Sequence, residues 1–537
     1  MRFFGVRMFC ARRIDLKATE QLQRVPKENS MNHAAMACAA APMSIVNTDG
    51  STNRIWISSY AKGVPADIDL TQYYSLNHYF DECIHKFRER MGFVSIGTAM
   101  GNDQLERLVD AFAGWLQQSG VKKGDRVAIM LPNTFQYPVT LFAALRVGAI
   151  VVNVNPLYTP RELHHQLKDS GAQTIVVMEN FAKTLQDALP GTDVKRIVLT
   201  QIGDLLSDGP INLKGRALNF VVRHVQKMVP TYSLPQAQWM RDALKQGATV
   251  EVDPPHICRD DLAFLQYTGG TTGVAKGAML THGNVLANCM QALAFMKGQL
   301  TDEVETVVTP LPLYHIYSLT VNCLIFMAVG GRNILIANPR DTKNVMRILK
   351  GEKFTCITCV NTLFASFLED PNFQKQDFSK LKLAMAGGMA LQRGVAERWQ
   401  RLTGNAIMEG YGLTECSPIV TVQPISSDQN RPAFTGSIGV PLPSTEVRCR
   451  REDGSWADID EPGELCVRGP QVMKGYWQRL DETEHVLDQQ GWLATGDIAV
   501  MDERGFLRIV DRKKDMILVS GFNVYPNEIE DVLASHP

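Results

Sequence analysis

The sequence of 537 residues is longer than one compact hydrophobic core supports, which predicts at least two domains. Apolar residues make up 45% and charged residues 21% of the chain, as in an ordinary globular protein. The formal net charge of −1 excludes a global attraction to nucleic acid, and we expect no nucleic-acid partner. Because no run of about 18 apolar residues is present, no transmembrane helix is expected.

Residues 1–55 are predicted to be a disordered N-terminal extension. Four arginines precede the first acidic residue, and the apolar run 3–6 is too short for a secretory signal. The alternatives are a mitochondrial-type presequence and a start codon assigned too early, for which Met31, Met36 and Met43 are internal candidates.

Eleven cysteines are scattered along the chain, mostly in apolar surroundings. The one CxxC pair, Cys356 and Cys359, lacks the second pair that zinc sites of this kind show. It lies in the apolar stretch 354–360, which indicates a core strand. The pattern favours reduced thiols and a cytoplasmic protein.

Apolar runs alternate with helical periodicity along the first half of the chain. The pattern predicts strands over 126–131, 148–153 and 174–178, and helices over 137–147 and 160–170. Such alternation is typical of parallel βαβ units, and it recurs over 307–335 and 354–385. Short strands with Gly and Pro turns follow residue 435 and predict a small β-rich subdomain over 435–512.

Two segments, 164–170 and 213–229, carry patterns that are also found in functional sites. Residues 164–170 approach the HHxxxDG acyltransferase pattern, but Ser170 replaces the glycine and the two histidines would point about 100° apart on a helix. We interpret this segment as a solvated helix face. Residues 213–229 form a basic amphipathic stripe, which fits either peripheral contact with the inner face of a membrane or packing on the domain.

A glycine-rich segment carries the strongest functional signal. It combines four glycines, four hydroxyls and one lysine, and an apolar strand precedes it; its residues are Tyr267, Thr268, Gly269, Gly270, Thr271, Thr272, Gly273, Val274, Ala275, Lys276 and Gly277. We read it as a loop between a strand and a helix that starts near Asn284, where backbone N–H groups close on phosphate. The lysine lies outside the GK[ST] pattern of ordinary P-loops.

Three later segments supply the other parts of a nucleotide site. Gly387 and Gly388 follow a predicted strand and allow close backbone approach to a flat ligand. The segment 409–415 combines a carboxylate, an aromatic ring and a hydroxyl between glycines, and Asp497 stands at a predicted turn. A phosphate loop, a magnesium carboxylate, an aromatic face and a diol-binding aspartate are what Mg-ATP requires.

Together these motifs resemble the adenylate-forming superfamily, from about residue 73 to the end. The segments 309–317 and 510–526 are similar to those of the long-chain fatty acyl-CoA synthetases of bacteria. The resemblance implies an α/β fold: a large N-terminal domain, 56–512, has two doubly wound α/β subdomains and a small β-barrel-like subdomain. A hinge and the truncated start of an α+β C-terminal domain follow at 513–537.

The resemblance also implies an AMP-forming acid–thiol ligase of fatty acid metabolism, including β-oxidation, with ATP, Mg²⁺ and coenzyme A as cofactors or cosubstrates. A long-chain fatty acid would be the acyl substrate, and a homodimer is an open alternative. The implied catalytic residues are Thr271, Lys276, His315, Glu415 and Lys514, with Thr271 and Glu415 as magnesium ligands. The implied ATP-binding residues are Tyr267, Thr268, Gly269, Gly270, Thr271, Thr272, Gly273, Lys276, Gly388, Glu409, Gly410, Tyr411, Gly412, Thr414, Asp497 and Arg512.

For the acyl group, the resemblance implies Tyr314, His315 and Tyr317. His315 would lie at the carboxylate end, and a core histidine without a catalytic role is the alternative. Tyr411 would stack on adenine, Asp497 would bind both ribose hydroxyls, and Lys514 would stand at the hinge.

Residue 537 falls inside the first helix of the family's C-terminal domain, before its catalytic lysine, so we expect impaired acyl-AMP formation. A fatty acyl-AMP ligase and a non-catalytic binding fragment are the alternatives. The segment between Asp497 and Arg512 has no insertion, which favours coenzyme A as acceptor.

Overall fold

The computed structural model describes residues 54–207, 212–268, 275–300, 304–424 and 433–513, and the backbone of two strands at 517–519 and 522–524. Nearly all of the predicted extension and most of the hinge segment lie outside these residues. So do six residues of the glycine-rich segment, 269–274.

The described residues contain helices of seven or more residues as follows: α1 Leu76–Lys86, α2 Asn102–Gln118, α3 Gln136–Arg146, α4 Pro160–Ser170, α5 Ala182–Ala188, α6 Leu213–Phe220, α7 Met240–Gly247, α8 His282–Phe295, α9 Thr342–Leu349, α10 Asn361–Glu369, α11 Arg393–Thr403 and α12 Leu480–Val486. Two π-helical turns, Val221–Val225 and Leu319–Ile325, directly continue the helical segments that precede them. None of the described helices is long and apolar enough to cross a membrane.

The strands, in chain order, are β1 Met91–Ser95, β2 Thr98–Gly101, β3 Arg126–Met130, β4 Ile150–Asn153, β5 Thr174–Met178, β6 Arg196–Thr200, β7 Gln238–Trp239, β8 Leu262–Thr268, β9 Lys276–Thr281, β10 Thr306–Thr309, β11 Arg332–Leu335, β12 Cys356–Cys359, β13 Leu383–Ala386, β14 Ile407–Gly412, β15 Ile419–Val422, β16 Val440–Pro441, β17 Glu446–Arg450, β18 Gly463–Arg468, β19 Leu493–Met501, β20 Leu507–Arg512, β21 Ile517–Val519 and β22 Phe522–Val524.

Two large sheets, one sheet of four strands and the two-stranded pair β21-β22 contain these strands. The seven-stranded sheet has the order β7-β6-β5-β3-β4-β8-β9, and only β9 runs antiparallel to its neighbour. The nine-stranded sheet has the order β16-β15-β14-β13-β12-β10-β11-β1-β2, with a parallel centre and antiparallel edges. Strands β17 to β20 form an antiparallel sheet of four. The predicted α/β fold is therefore confirmed, and the division into subdomains stays a prediction.

The large sheets bury both faces, which explains the continuous apolar runs of their strands. On β3, Val127 and Ile129 point into the main core, while Ala128 and Met130 point into a second cluster on the opposite face. Residues from Gln136 to Leu145 of α3 are all buried. Nine cysteines in the described residues are free, and Cys356 and Cys359 are buried on β12, as the core-strand prediction required.

Local signals in the sequence set the bounds of α4. Thr159 and Glu162 form a capping box, Pro160 occupies the first turn, and Gly171 ends the helix with a φ of 62°. The predicted helix over 160–170 is confirmed.

The prediction of a loop between a strand and a helix is wrong for the glycine-rich segment. The segment joins two antiparallel strands, β8 and β9, and helix α8 begins only at His282. Residues 276–281 pair with β8 along the whole strand, from Lys276 opposite Thr268 to Thr281 opposite Leu262. The N-terminus of α8 is separated from the loop by a strand of six residues, so the helix-terminus argument for phosphate binding does not apply.

Candidate active site

The stem of the glycine-rich hairpin is well defined. Thr268 pairs with Lys276, and Tyr267 pairs with Gly277. The Tyr267 ring packs on the Gly277 backbone, where a Cβ atom would lie 3.1 Å from Cε2. Gly269, Gly270, Thr271, Thr272 and Gly273 lie outside the described residues, and their predicted contacts with phosphate and magnesium stay predictions. Lys514, the predicted hinge residue, also lies outside them.

Two predicted catalytic residues, Lys276 and Glu415, both contact Tyr476. Lys276 lies over its ring, and Glu415 binds its hydroxyl. Lys276 Nζ lies 5.0 Å from the ring centroid of Tyr476, and it donates to Glu482 Oε2 at 2.6 Å. The Tyr476 hydroxyl donates to Glu415 Oε1 at 2.6 Å. Burial, followed by the charge of Glu415, raises the pKa of Tyr476, so the hydroxyl stays protonated and remains a donor.

The carboxylate of Glu415 is buried, and no described lysine or arginine forms an ion pair with it. A buried carboxylate without a cationic partner favours a bound cation. Carboxylate and hydroxyl oxygens, as in Glu415 and Thr271, are the donors that Mg²⁺ prefers. Within the described part of the chain, no group of three or more His, Cys, Asp or Glu residues is arranged to hold a metal ion by itself.

A second cluster joins Tyr411, Asp497 and Arg512. The Tyr411 hydroxyl donates to Asp497 Oδ2 at 2.6 Å, and Arg512 Nε lies 3.8 Å from Asp497 Oδ1. Asp497 stands within β19, opposite Arg512 on β20, so its predicted position at a turn is wrong. The strand is irregular here, because Gly496 has a φ of 76° and the pairing with β20 shifts between Ile498 and Ala499. Its sequence therefore resembles that of a turn.

The chemistry of the second cluster fits a ribose diol. Burial raises the pKa of Asp497, while the hydrogen bond from Tyr411 and the charge of Arg512 lower it. Tyr411 occupies one carboxylate oxygen, and the other faces Arg512 at a distance that leaves room for a hydroxyl donor. Asp497 is thereby held in one orientation before any nucleotide binds.

The strand and turn from Glu409 to Glu415 connect the two clusters. Glu409 accepts a hydrogen bond from the Leu391 amide at 3.1 Å, and burial raises its pKa to about 7. Gly412 approaches the chain so closely that a Cβ atom would lie 2.1 Å from the Pro418 carbonyl oxygen. Thr414 begins the single helical turn that presents Glu415. No other residue type than glycine fits at position 412, because its neighbour there is backbone.

Gly388 and the strand end around Gly410 form a close-packed corner. Gly388 has a φ of 81°, which favours glycine. A Cβ atom on Gly387 would lie 3.3 Å from the Gly410 carbonyl oxygen and from Cζ of Tyr317. The predicted acyl-binding Tyr317 therefore borders the segment predicted to hold adenine.

Polar side chains from the first sheet hold the predicted acyl-binding segment. Gln266 on β8 donates to the Tyr314 carbonyl at 2.9 Å, and Asn153 on β4 donates to Gln266 at 2.9 Å. Asn133 donates to the carbonyls of Thr309 and Leu311. Side chains at the carboxyl ends of strands in the seven-stranded sheet therefore hold the segment 309–314, which follows β10 of the nine-stranded sheet.

His315 is accessible to solvent although protein atoms surround its ring, and its predicted role at the acyl carboxylate stays a prediction. Its Nδ1 accepts the Tyr317 amide at 3.3 Å and caps a short helix, and the surrounding protein lowers its pKa by desolvation. A neutral ring with Nδ1 engaged leaves Nε2 as the atom that can meet a carboxylate. This part of the site joins the ATP-binding residues through the contact of Tyr317 with Gly387.

Helix α4 faces the hairpin, and our interpretation of residues 164–170 as a solvated face is wrong. His165 Nε2 lies 3.2 Å from the Ala275 carbonyl, and Asp169 accepts the Tyr267 hydroxyl at 2.7 Å. Our reading did not include Asp169, Tyr476 or Glu482 among functional residues. The run Gly475, Tyr476 and Trp477 is the one local signal in this part of the sequence, and it identifies no partner.

Known proteins resemble this chain over most of its length. Residues 80–477 match the family described as AMP-binding enzyme. The chain is 54% identical over 485 residues to the long-chain-fatty-acid–CoA ligase of Escherichia coli O157:H7, covering 90% of this chain and 85% of that protein. It is 35% identical over 486 residues to the ligase of the same name from Bacillus subtilis (strain 168), covering 90% and 84%.

Solved structures share the fold. A long-chain-fatty-acid–CoA ligase from Archaeoglobus fulgidus superposes with a TM-score of 0.69 at 25% identity, covering 89% of each chain. An anthranilate CoA ligase in complex with anthranoyl-AMP gives a TM-score of 0.73 at 22% identity, which bears on the fold alone, over 88% of this chain and 84% of that one. The chain therefore belongs to the AMP-binding enzyme family, among relatives of the long-chain-fatty-acid–CoA ligases.

Proposed function

We propose that the protein is a long-chain fatty acid–CoA ligase of the AMP-forming type. The observation that carries this proposal is the single segment from Glu409 to Glu415, which joins a diol-binding cluster to a cation-binding cluster. The acyl-CoA product would serve fatty acid metabolism, including β-oxidation, and the buried, free cysteines support a cytoplasmic location.

In the first half-reaction, a fatty carboxylate attacks the α-phosphorus of ATP and pyrophosphate leaves. Asp497 and Tyr411 hold the nucleoside, and Lys276 neutralises phosphate charge, so positioning and electrostatics supply the rate. Glu415, with Thr271 of the loop, would hold magnesium, which neutralises charge on the phosphates when bound. His315 and Tyr317 would orient the carboxylate at the end of the apolar acyl site.

In the second half-reaction, the coenzyme A thiol attacks the acyl carbonyl of the acyl-AMP and AMP leaves. Binding of a long chain is favoured because each buried methylene contributes about 0.8 kcal/mol. Among the predicted residues, Tyr314 and Tyr317 are half-buried, so each offers apolar ring surface to such a chain.

The test is thioester formation by the purified protein with ATP, magnesium, coenzyme A and a panel of acids from C4 to C18. Among the acids of the panel, we expect the highest relative rate of ATP-dependent acyl-CoA formation with long chains, and the same order in the acid-dependent exchange between ATP and pyrophosphate. A preference for short or aromatic acids would contradict the proposed substrate. Acyl-AMP without acyl-CoA would favour a fatty acyl-AMP ligase, and absence of both would favour a non-catalytic binding protein.

We further propose that α6 and the turn after it contact an anionic membrane surface. Leu213, Phe220, Val225 and Met228 are 70%, 60%, 65% and 56% exposed. Residues 209–241 include five lysines and arginines and no acidic residue. Apolar side chains flanked by cations bind bilayers that carry negative lipid.

Replacing both Phe220 and Val225 by glutamate is expected to reduce binding to vesicles containing anionic lipid by about tenfold or more, because apolar burial is lost and two negative charges are added. Sedimentation with vesicles measures this, and Ile459→Glu, at another exposed apolar position, is the control. Equal sedimentation of the three proteins would contradict membrane contact by this segment. Analytical ultracentrifugation of the same preparation tests the predicted homodimer.

A further inference from the structure

Asp169 on α4 holds together three elements around the phosphate-binding hairpin. Its side chain is 8% exposed. Oδ2 accepts the Tyr267 hydroxyl at 2.7 Å, Oδ1 accepts Arg479 Nη2 at 2.7 Å, and its main-chain oxygen accepts Trp477 Nε1 at 3.2 Å. All three acceptor groups of this residue are therefore engaged by chain segments that are distant in sequence.

On the β8 side, Asp169 determines where the Tyr267 ring lies. Burial, followed by the hydrogen bond to Asp169, raises the pKa of Tyr267, so the phenol remains protonated and donates. The ring lies against Gly277 on the facing strand, and Trp477 donates its amide to the Gly277 carbonyl at 2.8 Å. The hairpin is thus held one residue pair away from Thr268 and Lys276.

On the β9 side, Asp169 acts through Arg479. Arg479 precedes α12, and its carbonyl accepts the Thr483 amide of the first turn at 3.0 Å. That turn carries Glu482, which accepts Lys276 Nζ at 2.6 Å. An unbroken series of contacts therefore runs from Asp169 through Arg479 and Glu482 to Lys276.

His165 adds a third contact from the same helix. It lies one helical turn before Asp169, and its Nε2 is 3.2 Å from the carbonyl of Ala275, the residue before Lys276. Two side chains of α4 at positions i and i+4 therefore contact both ends of the hairpin stem. Such spacing places them on one face of the helix.

We propose that Asp169 is a positioning residue for ATP, which fixes Tyr267 on one strand of the hairpin and Lys276 on the other. This inference rests on the proposed function, because it assigns the hairpin to the phosphates of ATP. Asp169 itself touches no reacting atom. Its contribution is to keep the ammonium of Lys276 in place before the phosphates arrive, which reduces the ordering that ATP must bring about on binding.

Asp169→Asn tests the proposal, because the amide keeps the size of the side chain and removes the charge that holds Arg479. We expect the KM for ATP to rise about tenfold, with kcat and the KM for the fatty acid changed by less than about twofold. Arg479→Gln removes the same ion pair from the other side and is expected to give the same split. Because two variants acting on one contact are not additive, the double variant should resemble either single one.

Asp187→Asn is the control. Asp187 lies on α5 and forms an ion pair with Lys183, four residues earlier on the same helix. Thermal melting of each variant separates positioning from stability. The proposal is overturned if the KM for ATP stays within twofold of the wild type, or if the KM values for ATP and acid rise equally as the Tm falls. If the wild type forms no acyl-CoA, the proposed function fails, and the Kd of ATP measured by calorimetry with the same variants decides the role of Asp169.

Discussion

Replacing Asp497 by alanine is expected to raise the KM for ATP about 100-fold. The carboxylate is held by Tyr411 and lies close to Arg512, and we propose that it accepts the ribose hydroxyls. Hydrogen bonds to a charged group contribute about 1.5–3 kcal/mol each, and about 1.4 kcal/mol corresponds to a factor of ten. Steady-state kinetics with ATP as the varied substrate measure the effect.

Deoxynucleotides make the test of Asp497 specific. The wild type should use 2′-deoxy-ATP with a higher KM than ATP, while the Asp497→Ala variant should scarcely distinguish the two. Glu503→Gln, in the exposed turn that follows β19, is the control for loss of a nearby carboxylate. If the variant still prefers ATP over its deoxy analogue as the wild type does, Asp497 is not the diol ligand.

Replacing Glu409 by glutamine is expected to stabilise the protein at pH 8.5 by about 3 kcal/mol, since each unit of pKa shift corresponds to about 1.4 kcal/mol. Burial raises the pKa of Glu409 to about 7, from the ordinary value of 4.5. Glutamine keeps an oxygen that can accept the Leu391 amide and carries no charge to desolvate. Urea denaturation followed by tryptophan fluorescence measures the difference in the free energy of unfolding.

The sign of the pH dependence follows from which state loses its proton first. The unfolded carboxyl ionises near its ordinary pKa, and the folded one does so only near pH 7. The wild type therefore loses stability relative to the variant as the pH rises from about 4.5 to 7, and the difference stays constant above that range. Near pH 4 both side chains are uncharged and the two proteins should be equally stable. Glu397→Gln, at an exposed site on α11, controls for the loss of a surface charge; a difference that is the same at pH 4 and 8.5 would contradict the prediction.

The sequence predicts those parts of the fold that depend on neighbouring residues. Helix α4 is predictable over its full length because the residues that set its bounds, namely its cap, its proline and its terminal glycine, are all local. The β9 strand was missed because six residues leading to a helix resemble a helical entry until their partner β8 is known. Pairing between strands decides such cases, and a single sequence does not report it.

The site shows the same division between local motifs and distant contacts. The motifs that contain Tyr411, Glu415 and Asp497 were found from composition and spacing, and the structure brings Tyr411 and Asp497 together. Tyr476 and Asp169 were missed because their partners lie 61 and 98 residues away along the chain. An isolated aspartate on a helix gives no sign that it contacts a distant tyrosine.

The hydrogen bonds from Asn133 and Gln266 to the segment 309–314 have a mechanical consequence. Apolar layers alone tolerate small sliding movements, since one aliphatic contact can replace another at little cost. Directional bonds to the carbonyls of Thr309, Leu311 and Tyr314 permit one translational setting of the second sheet against the first. With the acyl carboxylate held after residue 314 as proposed, its distance from the nucleotide would be set by these bonds and would be the same for acids of different chain length.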